Sequence, residues 1–102
     1  MSARHIALML LLAALASCKS FKGEVVNNAD EDVYLRIYDN RGKLGTYGEI
    51  KSQQNLTLNS DVDDIARMDY RYGNVQCSLR ADQLKRIVQW DDGFWKIILK
   101  HC

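Results

Sequence analysis

Ala66-Arg67-Met68-Asp69-Tyr70-Arg71-Tyr72-Gly73-Asn74-Val75-Gln76-Cys77-Ser78-Leu79 is the stretch that decides the fold. Ala66, Met68, Tyr70 and Tyr72 alternate with Arg67, Asp69 and Arg71. A strand turns successive side chains to opposite faces, so period two with one apolar and one charged set predicts a half-buried antiparallel strand. Gly73-Asn74 is a two-residue hairpin signal. It leads into Val75, Cys77 and Leu79, which fall on the inward parity of the returning strand.

The same period extends in both directions. Upstream, Val33, Leu35 and Ile37 alternate with Tyr34, Arg36 and Tyr38, and Asp39-Asn40-Arg41-Gly42 supplies residues that tolerate a reversal. Leu44 to Lys51 is a weaker strand interrupted by Gly45 and Gly48, which suits an edge or a bulge. Leu56 and Leu58 alternate with polar neighbours, and Glu24 to Asn27 forms a short first strand. Downstream, Ala81 to Arg86 is a plausible helix, with Asp82 early and Lys85 and Arg86 late to complement the helix dipole. Val88 and Trp90 resume the alternation. Asp91-Asp92-Gly93 turns the chain into Phe94 to Lys100, where Trp95, Ile97 and Leu99 share a face. This last strand is the most apolar and is expected to be central. Seven or eight short strands joined by Gly, Asn and Asp turns predict an all-β fold, a small antiparallel β-sandwich. The alternative is α+β, with one short helix near residues 81–88 packed on a sheet.

The first residues carry a different signal. Arg4 and His5 precede an unbroken apolar run from Ile6 to Ala16, followed by Ser17 and Cys18. This is the layout of a secretory signal peptide, and the run is about half the roughly 20 residues a membrane-crossing helix needs. Leu15-Ala16-Ser17-Cys18 resembles the lipobox of bacterial lipoproteins. The resemblance implies removal of residues 1–17, a diacylglyceryl thioether on Cys18 and an acyl group on its amine. Several acyl chains together hold a protein on a membrane where one chain binds only marginally. Lys19 in place of an aspartate implies, by the same resemblance, the outer membrane rather than the inner one. Residues 18–23 would then be a lipid-anchored linker, whose five residues from Lys19 to Gly23 reach at most roughly 18 Å, and residues 24–102 one β-rich domain. Cleavage after Ala16 at the Ala14-Leu15-Ala16 site would instead release a secreted, soluble protein.

The chain has three cysteines, an odd number for an exported protein. Lipidation of Cys18 accounts for one. Cys77 and Cys102 are then expected to form a disulfide, closing a ring of about 26 residues worth roughly 3.5 kcal/mol. Of the 14 Lys and Arg residues only Arg4 precedes Cys18, which leaves 13 against 13 Asp and Glu. Nucleic-acid affinity comes largely from neutralised phosphates, so a balanced chain outside the cytosol is not expected to bind nucleic acid.

The catalytic inventory is thin. Downstream of the signal segment the single histidine is His101, next to Cys102 and the chain end, a poor place for locked triad geometry. No histidine pair is available for zinc, and Cys77, His101 and Cys102 lack structural-zinc spacing. Asp61, Asp63, Asp64 and Asp69 resemble a calcium loop only loosely, because Ala66 stands where an EF-hand has glycine and Tyr72 where it has glutamate. No catalytic residue, metal or cofactor is therefore expected. Trp90 and Trp95 are assigned to the core. Asn55-Leu56-Thr57 matches a glycosylation acceptor, which the lipobox makes irrelevant.

Tyr34, Arg36 and Tyr38 are the candidate partner-binding residues. Period two puts all three on one face, and Tyr and Arg are enriched where protein contacts carry most energy. The plainer reading is that they cover their own sheet through cation-π contacts with Arg67 and Arg71. The functional expectation is a lipid-anchored envelope protein, tethered to the membrane through Cys18 and acting as a non-catalytic accessory or protein-binding module. The alternatives are a secreted inhibitor or effector and, disfavoured, an envelope hydrolase.

Overall fold

In a computed structural model, the described residues are 21–102; the signal segment 1–17 and Cys18 lie outside them. The strands are β1 (Gly23–Asn27), β2 (Val33–Asp39), β3 (Leu44–Ile50), β4 (Asn55–Leu58), β5 (Ile65–Tyr72), β6 (Val75–Arg80), β7 (Gln89–Asp91) and β8 (Phe94–Leu99). One 3-10 turn (Val62–Asp64) precedes β5, and one helix, α1 (Ala81–Ile87), joins β6 to β7. They form two four-stranded sheets, ordered β4-β1-β8-β7 and β3-β2-β5-β6. The all-β sandwich expected from period two is the observed fold. No helix among the described residues is long and apolar enough to cross a membrane.

The β3-β2-β5-β6 sheet is antiparallel throughout and follows the sequence alternation closely. Val33, Leu35 and Ile37 of β2 and Met68, Tyr70 and Tyr72 of β5 are all buried. The second sheet departs from expectation, since β1 pairs with β8 in parallel, from Gly23 opposite Trp95 to Asn27 opposite Leu99. β8 enters at the end of the chain and has to slot beside the first strand. As expected it is central, and Trp95, Ile97 and Leu99 are fully buried.

Trp95 dictates the residue at the start of β1. A Cβ built on Gly23 would lie 2.0 Å from the Trp95 ring, so only glycine lets the indole lie across β1. The Trp95 Nε1 donates to the Ser60 carbonyl at 2.8 Å. The backbone N–H of Lys22 donates to the Leu58 carbonyl at 2.8 Å. Among the described residues, backbone pairing thus already includes Lys22, two residues ahead of Glu24 and within the stretch assigned to the linker.

Asn27, also fully buried, ties three segments together. Its amide donates to the carbonyls of Glu31 (2.8 Å) and Ile50 (2.9 Å), and its side-chain oxygen accepts from the Ala29 N–H (3.0 Å). The bonds to Ile50 and Ala29 are buried, where leaving a backbone group unpaired costs about 1–3 kcal/mol. The β7–β8 reversal is an Asp92-Gly93 turn with positive φ at both residues, the pair that matches the right-handed strand twist.

Two sequence assignments need correction, and a third stands. Trp90 is 59% exposed rather than in the core, because β7 is a three-residue edge strand with nothing packed over its end. Val75 is likewise exposed, since β6 closes the other sheet. The helix is real, with Leu84 buried against β5, β6 and β8, yet it plugs one side of the sandwich rather than making the fold α+β.

Candidate functional site

The outer face of the β3-β2-β5-β6 sheet is built by register. Tyr34 lies between Glu49 of β3 and Arg71 of β5, Arg36 between Tyr47 and Asp69, and Tyr38 between Leu44 and Arg67. Directly opposed residues on one face stand close enough for side-chain contact. The three candidate residues are thus brought together on one face as expected. Tyr34 and Arg36 are exposed and Tyr38 is partly covered.

Most polar groups on this face already have partners. The Arg67 guanidinium sits 4.3 Å from the centre of the Tyr38 ring, and that of Arg71 5.1 Å from the Tyr34 ring. Both are the cation-π contacts of the plainer reading. Asp69 receives Arg67 at 3.2 Å and accepts from the Ser78 hydroxyl at 2.7 Å. Glu49 is held by Lys51 at 2.8 Å, and Lys51 also reaches Asp32 at 3.2 Å. This Lys51 contact, with the Tyr34 hydroxyl adding to it, lowers the Glu49 pKa. In return the hydrogen bond to Glu49 raises that of Tyr34.

Arg36 is the exception. Among the described residues it has no ion pair, side-chain hydrogen bond or stacked ring. Its register partner Asp69 is already taken by Arg67 and Ser78. It lines an open groove of about 580 Å³ shared with Tyr34, Tyr47, Glu49, Arg71 and Gln76.

Comparison with family models, with curated proteins and with solved structures gives no match. The functional reading rests on this chain's own chemistry.

Tyr47 was not legible as a site residue. It is 75% exposed, directly across from Arg36, and sits in an edge strand whose glycines dominate its reading. A tyrosine at the same parity as Glu49, facing the Tyr34-Arg36-Tyr38 parity, was the available signal.

The far end of the sheet is occupied structurally. Cys77 and Cys102 sulfurs lie at bonding distance, 2.03 Å, which pins the chain end onto β6 and leaves no free thiol beside His101. The His101 ring stacks on Tyr72 with centroids 4.4 Å apart, and its Nε2 lies 3.9 Å from Glu31. The Tyr70 hydroxyl donates to the Lys100 carbonyl at 2.9 Å. Asp61, from the acidic run, pairs with Lys22 at 3.6 Å.

Tyr72 has a buried hydroxyl with no protein partner, and burial, then Tyr70 and Glu31, pushes its pKa up to about 12. In the unfolded chain a tyrosine ionises near pH 10. The unfolded state therefore gives up this proton first, and the stability it contributes is present below about pH 10 and lost as pH rises toward 12. An ultraviolet titration of the folded protein should show a tyrosine that resists ionisation until about pH 12. The Tyr72→Phe protein should lack that late step.

Proposed function

We propose that this protein is a lipid-anchored component of a bacterial envelope, acting without catalysis as a docking module for another protein through the outer face of its β3-β2-β5-β6 sheet. The observation that carries the docking role is Arg36, which stands exposed between Tyr34 and Tyr47 with no counter-charge of its own among the described residues. Folding gains nothing specific from an unpaired surface arginine, whereas a partner carboxylate would find a donor whose planar fork can bind it in bidentate fashion. The flanking tyrosines supply contact area at low cost in side-chain entropy. The tether is supported by Leu15-Ala16-Ser17-Cys18, together with a disulfide that leaves Cys18 as the remaining cysteine. Lys19 supports the outer membrane, facing the periplasm.

The test is a photo-crosslinking residue in place of Tyr47, in protein expressed with its own signal segment in a bacterial host. A discrete protein adduct should form, fall at least tenfold when Arg36→Ala is added, and be absent when the probe replaces Thr57 on the other sheet. The melting temperature of Arg36→Ala should match the parent within the range of a surface change, about 0.5 kcal/mol. Equal crosslinking with and without Arg36 would contradict the docking role.

A further inference from the structure

We propose that the partner presents an extended acidic segment, laid along the free edge of β3 with an Asp or Glu side chain reaching over Tyr47 to meet the Arg36 guanidinium. This inference rests on the docking role of the same face and adds what the face recognises.

Charge is the first argument. Arg36, Arg67, Arg71 and Arg80 share the outer face by register, against only Glu49 and Asp69. Both acids are already held, by Lys51 and by Arg67 with Ser78. Arg80 has Asp82 at 3.7 Å. Among the described residues Arg71 has the Tyr34 ring but no carboxylate, and Arg36 has neither. Glu49 and Asp69 line the groove beside Arg36 but are neutralised within the sheet, so the uncompensated charge there is that of the arginines, which selects an anionic group and disfavours a cationic one.

The edge is the second argument, and it selects a peptide strand over a loose anion. β3 ends its sheet, so alternate N–H and C=O groups of Leu44–Ile50 face away from β2. The Ile50 carbonyl is occupied by the Asn27 amide at 2.9 Å, which confines the open stretch to residues 44–49. Gly45 and Gly48 fall within it. A Cβ at Gly48 would meet nothing within 4 Å, and one at Gly45 only the Ile37 carbonyl at 3.8 Å. Gly45 is the residue skipped where the β2–β3 register shifts, so a bulge accounts for it, whereas Gly48 is regularly paired, has ordinary φ and open space, and is needed for neither turn nor packing. Glycine inside a strand weakens it and marks places where another backbone approaches closely. An added strand would bond its backbone to β3, and every second side chain would point over Tyr47 toward Arg36.

Titration of isotope-labelled full-length protein in neutral detergent tests this, with a blocked eight-residue peptide of alternating Thr and Glu as the probe. Saturable shifts are expected at the amides of Thr46 to Glu49 and at the Arg36 Nε, with binding at least tenfold weaker for the Thr and Gln counterpart. Arg36→Gln should remove most of the difference between the two peptides, and rising salt should narrow it in the parent. Equal binding of both peptides would overturn the proposal. So would no binding of the acidic peptide, or the same shifts produced by inorganic phosphate, by phosphatidylglycerol micelles, or by concentrating the protein alone. Retention of the Arg36-dependent Tyr47 crosslink alongside such a failure would place the error in the ligand chemistry; loss of both would place it in the choice of face.

Discussion

Replacing Trp95 with alanine should lower the unfolding free energy by about 4 kcal/mol, the middle of the range for deleting a buried aromatic side chain. The indole is 1% exposed, spans Gly23 of β1, and donates to the Ser60 carbonyl ahead of the 3-10 turn. Its loss opens a cavity at the point where β1, β8 and the 58–62 segment meet. For a domain of this size about 1 kcal/mol corresponds to roughly 5 °C, so the melting temperature should fall by about 20 °C. The contact can be attacked from its other side. Gly23→Ala places a methyl inside the ring's volume and should cost about 3 kcal/mol through overpacking. Trp90→Ala, at an exposed edge, should stay within about 0.5 kcal/mol. Equilibrium urea unfolding measures all three, and similar losses for Trp90 and Trp95 would contradict the arrangement.

Cys102→Ser should cost about 3.5 kcal/mol, the loop-closure entropy restored to the unfolded chain when a ring of this length is opened. The sulfurs link positions 25 apart in sequence. The tail they pin also covers native surface, since His101 stacks on Tyr72 and the Lys100 carbonyl accepts from Tyr70. Opening the ring should therefore loosen this end of the sandwich first, with amides of β6 and residues 100–102 losing exchange protection before those of β2. Melts with and without reductant give the magnitude. A reductant that leaves the midpoint unchanged would contradict it.

Much of the sheet carrying the candidate face was readable because β2 with β3 and β5 with β6 are hairpins of strands adjacent in sequence, whereas the β2–β5 pairing that joins them spans β3 and β4 and was not. Alternation assigns faces, and a tight turn then fixes who is opposite whom. Periodicity carries no such information for β1 and β8, which lie at opposite ends of the chain, so their parallel pairing was invisible. Gly23 and Asn27 read as a linker residue and a strand end. Their roles depend on an indole from β8 and on carbonyls from two loops, none of which is local. Trp90 and Trp95 show the same limit, since both satisfy an apolar parity but only one strand has a layer above it.

At the candidate site, Tyr34, Arg36 and Tyr38 were legible as one stripe, and so were their cation-π partners Arg67 and Arg71. What the stripe could not show is that the contacts divide unequally. Asp69 is claimed by Arg67 and Ser78, which leaves Arg36 alone, and Tyr47 joins it from a strand whose glycines made it look unimportant. The isolation of one guanidinium is a property of the whole network.

The proposed tether would hold the proposed docking face at a membrane, and the intact mass of the protein purified from bacterial membranes tests it most directly. The expected species begins at Cys18 and carries the added mass of a diacylglyceryl group and an amide-linked acyl chain, and both additions vanish in Cys18→Ser. An unmodified polypeptide beginning at Ser17, recovered outside the membrane, would contradict the account.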